Sequence, residues 1–299
     1  MSCIQYKEFN FRDSSLALID YANEIVEDYI SQGYKLTLRQ LYYQFVSRDI
    51  IPNNQKQYNN LGVLINNARL AGLLDWCSIE DRTRNIRNSF HWQDPKRLLN
   101  SAVRQFSIDK WAGQRTYVEV WVEKDALVEV VGKSASKYDV PYFSCRGYVS
   151  QSEMWSASER IKDKLYYEHE KAVIIHLGDH DPSGKDMTRD IDERLKMFLS
   201  REGLEENIEV ERVALEMEQI LKYNPPPNPA KLTDSRCGGY ISEYGDMSWE
   251  LDALEPRALD DIICSAILEH LDLELFKERK AEEEKIRLSL FDYVEKINL

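Results

Sequence analysis

The sequence predicts an α/β protein in two parts: a small helical N-terminal module, then a mostly parallel β-sheet with helices on both faces. Three observations predict it. At 299 residues the chain is long enough for two cores. Its apolar residues follow a helical period up to about residue 72, whereas from Tyr117 onward short apolar runs alternate with helical patterns. The charge also changes sign along the chain. Residues 35 to 115 carry 13 Lys and Arg against 6 Asp and Glu, a balance of +7, while residues 116 to 299 carry 24 against 40, a balance of −16. The boundary is placed between residues 114 and 115.

Composition narrows the class. With 43% hydrophobic and 30% charged residues the chain reads as an ordinary globular protein. No window approaches ~18 uninterrupted apolar residues, and the N-terminal MSCIQYKEFNFRD lacks the basic-then-apolar layout of a signal peptide, so an intracellular, cytoplasmic protein without a membrane partner is expected. The five cysteines are scattered and show no metal-ligand spacing, which argues against a disulfide framework or structural zinc. A net charge of −13 argues against a protein that coats nucleic acid nonspecifically, and leaves a local basic module as the place for such contacts.

In the first part, Thr37-Leu38-Arg39-Gln40 matches a capping box. Leu38, Leu41, Tyr42, Phe45 and Val46 then form the stripe of a core-facing helix. After a turn at Ile51 to Asn54, a second run places Tyr58, Leu61, Ile65 and Ala68 on one face, with Gly72 as its stop. Its other face offers Asn59, Asn66, Asn67 and Arg69, and a basic stretch with Arg82, Arg84 and Arg87 follows. Two short helices, a tight turn and positive charge suggest a DNA-binding helix-turn-helix of winged type.

In the second part, strands are expected at Tyr117 to Val122, Tyr142 to Cys145, Ala172 to Leu177 and Ile208 to Val213. Helices are expected at Asp125 to Lys137, Glu153 to His169 and Lys185 to Ser200. This alternation argues for parallel strands joined by helical crossovers. Tyr223 to Pro229 reads as an extended connector, followed by an irregular region with SWELDAL and a charged helical segment around Leu268 to Val294.

Ligands of parallel sheets collect beyond the carboxyl ends of the strands. There Glu123 follows one strand, and Asp179 and Asp181 follow another after one glycine. In an extended segment the two aspartates point to the same side, roughly 6 to 7 Å apart. Three acids without His or Cys suit Mg²⁺ or Mn²⁺, singly or as a pair. Helix capping is the bland alternative for each acid, and His180 between the aspartates reads as a bystander. GDHDPSGK is not a P-loop, because five residues separate its glycines and Asp186 follows the lysine, so no ATP site is expected in this chain.

Glu123-Lys124-Asp125-Ala126 and Asp179-His180-Asp181-Pro182-Ser183-Gly184, each after a strand, resemble a Toprim domain, a Rossmann-like fold. The resemblance is to the version in the topoisomerase VI A subunit and its meiotic double-strand-break relatives. Thr37 to Tyr43 is similar to the Tyr-Tyr helix of that family's winged-helix domain. The similarity covers about residues 35 to 50 and 116 to 190. It implies Mg²⁺-dependent cleavage of double-stranded DNA by transesterification through a 5′-phosphotyrosyl link. Tyr43 is then the nucleophile, and Glu123, Asp179 and Asp181 the metal residues, with nucleophile and metal supplied by different subunits of a homodimer. A separate ATPase subunit belongs to full activity in that family.

The helix pattern also prefers Tyr43, which is rotated off the apolar stripe and shares a face with Arg39, whose guanidinium can steady phosphate charge or favour phenolate. A surface aromatic that stacks on DNA is the alternative for Tyr43. Arg39, Arg69, Arg82 and Arg84 are expected on the DNA backbone. Glu250 and Asp252 form a further acidic pair, read foremost as solvated loop acids. Two other functions stand open: a Toprim endonuclease that uses water rather than tyrosine, as in defence against foreign DNA, and a non-catalytic DNA-binding subunit.

Overall fold

The computed structural model describes residues 3 to 80, 91 to 230 and 236 to 297. Arg82, Arg84 and Arg87 therefore lie outside the described residues. The N-terminal module begins with α1 (Asp13–Ser31), which the sequence reading passed over although Ile19, Ala22, Ile25, Val26 and Tyr29 mark one buried face. Helix α2 (Leu38–Ser47) starts at the expected capping box, with Thr37 and Gln40 bonded reciprocally. Helix α3 (Gln55–Leu70) buries Leu61, Ile65 and Ala68, and the chain leaves it through Gly72 at φ +74°. These helices enclose one core around Ile25, Leu41, Phe45 and Ile65. A lone parallel bridge between Leu36 and Ile79 is the extended pairing of this module among the described residues.

Helix α4 (Pro95–Gln105) leads into the sheet domain. There follow β1 (Thr116–Val122), α5 (Val128–Ser136), β2 (Tyr142–Ser144), α6 (Gln151–Tyr167), β3 (Lys171–Leu177), α7 (Pro182–Leu199) and β4 (Ile208–Ala214). All four strands are parallel, in the order β2-β1-β3-β4. Val118, Val120, Val122, Val173 and Ile175 fill one face of the sheet. Tyr117, Trp121, Ala172 and Ile174 fill the other, against α6 and α7. The chain is thus mixed α/β, with the parallel sheet expected. The expected strands and helices recur within a few residues. Helix α7 starts three residues early because Asp181 caps it and Pro182 occupies its first turn.

The rest of the chain departs further from expectation. Helix α8 (Met217–Tyr223) precedes a hairpin of β5 (Asn228–Pro229) and β6 (Met247–Ser248), with α9 (Cys237–Tyr244) between. Helix α10 (Pro256–Glu269) was not foreseen. It packs beside α5, and the charged α11 (Leu273–Lys296) returns to α4, where Lys96 pairs with Glu295 at 2.8 Å. No helix among the described residues is long and apolar enough to cross a membrane.

Candidate active site

Strand order reverses between β1 and β3, because β2 lies to one side of β1 and β3 to the other. Beyond such a switch point the flanking loops part and leave a crevice. Glu123 leaves β1 there, and Gly178-Asp179 leaves β3. The Asp179 N–H donates to Glu123 Oε2 at 2.9 Å, tying the two strand ends together. Arg212 on β4 braces the turn: its buried guanidinium donates to the carbonyls of Asp179 (2.7 Å), Gly184 (2.9 Å) and Gly178 (3.0 Å), and pairs with Glu216 at 2.8 Å. The turn is tight enough that a Cβ on Gly184 would stand 2.1 Å from the Asp179 carbonyl oxygen, so only glycine fits.

A distant segment completes the crevice. An antiparallel bridge pairs His180 with Trp249 and lays Glu250, Leu251 and Asp252 beside Asp179, whose Oδ1 accepts the Leu251 N–H at 2.8 Å. Lys124 lies at the centre. Its ammonium contacts Asp179 Oδ1 at 2.9 Å, Glu250 Oε2 at 2.8 Å and Asp252 Oδ1 at 2.8 Å. Arg39 reaches the same carboxylates from α2, with Nη2 2.7 Å from Glu250 Oε2 and Nε 3.2 Å from Asp252 Oδ2. Tyr43, one turn further along α2, has its hydroxyl 3.4 Å from Arg39 Nη2.

The electrostatics follow from this crowding. Burial foremost, then Glu123 and Asp252, push Asp179 up to about 7 against the pull of Lys124. Burial also raises Glu123, opposed by the Asp179 N–H and by Lys124. Burial works against the Glu250 carboxylate too, but Lys124, the Tyr43 hydroxyl and Arg39 outweigh it and hold Glu250 at about 2. For Lys124, burial is outweighed by Asp252, Asp179 and Glu250, which keep it firmly protonated.

Several expectations need correction. Tyr43 does share a face with Arg39, yet it is only 5% exposed. Burial, Asp252 and Glu250 raise its pKa and outweigh Arg39, so this arrangement disfavours phenolate. Glu250 and Asp252 are not solvated loop acids, since the Asp252 side chain is fully buried and Glu250 is a quarter exposed. Asp181 does not join Asp179: its Oδ1 caps α7, accepting from Gly184 N–H at 2.6 Å and Ser183 Oγ at 2.9 Å. The bland alternative of helix capping thus describes Asp181 here. Arg69 turns inward, donating to the Trp76 carbonyl at 2.6 Å with its guanidinium over the Trp76 ring. His180 is buried among Tyr240, Tyr244 and Trp249.

The Mg²⁺ implied by the sequence resemblance does not fit this arrangement. Glu123, Asp179 and Asp181 do not converge, and Lys124 already fills the space between Asp179, Glu250 and Asp252. Among the described residues no group of three or more His, Cys, Asp or Glu side chains is disposed to hold a metal ion. The sequence reading also missed Lys124 and Arg212. The first stood in the quoted Glu-Lys-Asp-Ala, and a positive charge beside three acids was its one signal. Searches for related proteins returned no matching family model and no matching curated protein.

Proposed function

We propose that the chain cleaves double-stranded DNA by tyrosine transesterification, as a winged-helix module joined to a Toprim domain; Tyr43 meets the strand-end cluster of its own chain rather than a partner's, so the homodimer comes from the sequence resemblance alone. One observation carries this reading. The Arg39-Tyr43 pair of the helical module meets the strand-end cluster of Lys124, Asp179, Glu250 and Asp252 at hydrogen-bonding distances. A nucleophile, cationic groups for a phosphate and acid-base groups thus stand together at the sheet's carboxyl edge.

In the proposed step a lone pair of the Tyr43 oxygen forms the bond to phosphorus. The bond from phosphorus to the 3′-oxygen breaks with its electron pair, and the phenolic proton ends on that oxygen. The products are a 5′-phosphotyrosyl link and a free 3′-hydroxyl. Arg39 lies within reach of the phosphate charge that grows during attack. Asp179, whose pKa burial raises foremost, stands 2.9 Å from Lys124 as a candidate group for proton transfer. No part of this step is assigned to a divalent ion; Mg²⁺ or Mn²⁺ and the separate ATPase subunit belong to the resemblance alone.

One observation favours a second reading, a nuclease that uses water. Tyr43 is buried and held in its neutral form. Both readings are tested by incubating the full chain with supercoiled plasmid, with Mg²⁺ or with chelator, stopping with detergent, and comparing gels with and without protease. Cut DNA carrying covalent protein supports the tyrosine reading. Cut DNA with free ends, unchanged in Tyr43→Phe, supports the water reading. Absence of cutting by the chain alone contradicts both as self-sufficient activities.

A further inference from the structure

We propose that Arg39, Lys124 and Tyr43 form the seat of a DNA phosphodiester, and that Glu250 occupies that seat as an internal phosphate mimic. This deepens the reading above and rests on it for the identity of the ligand.

Two cationic donors meet at one carboxylate oxygen of Glu250. Glu250 Oε2 stands 2.7 Å from Arg39 Nη2 and 2.8 Å from Lys124 Nζ, the lengths of charge-assisted hydrogen bonds. The Tyr43 hydroxyl lies beside these donors, 3.4 Å from Arg39 Nη2. A guanidinium and an ammonium converging on one singly charged oxyanion are also the donors that a non-bridging phosphate oxygen takes. A phosphodiester carries the same single charge, so exchanging one for the other leaves the charge of the cluster unchanged. The same Arg39 Nη2 that holds this oxyanion stands 3.4 Å from the Tyr43 hydroxyl, which puts a phosphate seated there next to the nucleophile.

Glu250 is also the replaceable member of the cluster. Lys124 keeps Asp179 and Asp252 without it, and Arg39 keeps Asp252. Asp252 is fully buried, whereas Glu250 is a quarter exposed. A cavity of about 290 Å³ opens on it, lined among others by Arg39, Tyr42, Tyr43, Asn53 and Tyr58, which gives a phosphate a way in. The same contact explains why Tyr43 is buried. The turn of Leu251 to Ala253 lies against α2, and Ala253 enters the core of the helical module. Lys124 thereby becomes a substrate-contacting residue of the proposed reaction, and Glu250 a built-in competitor of DNA.

The test is binding, measured on the full chain with a fluorescent 30-base-pair duplex in chelator at fixed salt, so that no turnover intervenes. Glu250→Ala is expected to tighten binding about tenfold. Its salt dependence should steepen by about one phosphate contact. Glu274→Ala, on exposed α11, serves as the control for simple loss of negative charge and is expected to change binding less than twofold. Lys124→Met is expected to weaken binding slightly with Glu250 present, and to cancel most of the gain when combined with Glu250→Ala. Circular dichroism and melting curves confirm folding, and Glu250→Gln and Lys124→Gln replace any variant that does not fold, with a gain of about threefold expected for the former.

A folded Glu250 variant that binds no more tightly than wild type overturns the proposal. A gain that survives loss of Lys124 overturns the seat. Binding is read without chemistry, so the two readings separate. A covalent adduct with no gain in Glu250→Ala removes this inference alone. The gain without any adduct leaves the phosphate seat standing and removes the tyrosine reaction.

Discussion

Two of the buried carboxylate sites among the described residues, Glu119 and the strand-end cluster, are built to opposite specifications. Glu119, on β1 and 2% exposed, accepts from Tyr117 Oη (2.7 Å), Trp121 Nε1 (2.8 Å) and Arg160 Nε and Nη2 (2.8 and 3.0 Å). One negative charge meets one positive charge, each carboxylate oxygen has two donors, and every partner belongs to the sheet domain. At the strand ends, two cations, Arg39 of the helical module and Lys124 of the sheet domain, face the three carboxylates of Asp179, Glu250 and Asp252. There Asp252 Oδ2 has an ion pair but no hydrogen bond, and Asp179 is pushed up to about 7. A buried charge that is fully matched holds a fold together. One that is surplus and shared between modules is kept at a cost in stability, and such perturbed groups cluster at functional sites.

The contrast can be broken by mutation. Glu119→Ala strips the buried Tyr117 and Trp121 donors and Arg160 of their acceptor and is expected to cost about 3 kcal/mol. Chemical denaturation measures this, while DNA binding per folded molecule should stay at the wild-type level. If binding falls with stability, the two clusters are not separate in function. Next in size is Gly184→Ala. Its methyl group collides with the Asp179 carbonyl, so about 1–3 kcal/mol is expected, together with a loss of cleavage larger than stability explains.

A smaller effect sharpens the comparison through pH. Glu250 ionises near 2 when folded, below its ordinary value of 4.5. Its ion pairs therefore contribute stability above about 4.5, and that contribution is lost as pH falls toward 2. Between pH 5 and pH 2.5 wild type should lose more in Tm than Glu250→Gln, by a few degrees. Equal losses would mean that the contact with α2 contributes nothing. Smallest is Thr37→Ala, which removes the cap of α2 for about 1 kcal/mol. Because α2 carries both Arg39 and Tyr43, this variant should lower Tm modestly and leave the DNA affinity of the folded fraction intact.

What the sequence made legible follows the range of the interactions. The capping box of α2, the four parallel strands and the acids beyond β1 and β3 depend on neighbours a few residues apart, and each was readable. Helix α1 was readable too, since its apolar residues recur at Ile19, Ala22, Val26 and Tyr29. The arrival of Glu250 and Asp252 beside Asp179 was not. It depends on the β5-β6 hairpin and the His180-Trp249 bridge, contacts across some 70 residues that no local pattern encodes. The burial of Tyr43 was illegible for the same reason. A position off the apolar stripe predicts solvent on an isolated helix, and only the packing of the Leu251 to Ala253 turn against α2 covers it. Asp181 shows the converse, because Pro182 and Gly184 after it already spelled a helix cap, and that local signal prevailed over convergence with Asp179.

The central claim is that Tyr43 attacks DNA. The most direct measurement is digestion of the detergent-trapped protein–DNA complex by protease and nuclease, followed by mass spectrometry of the remaining nucleotide-bearing peptide. The account predicts a nucleotide joined through its 5′-phosphate to Tyr43, absent in Tyr43→Phe and retained in Tyr42→Phe. Cut DNA with no nucleotide on any tyrosine, or with the nucleotide on another residue, would contradict it.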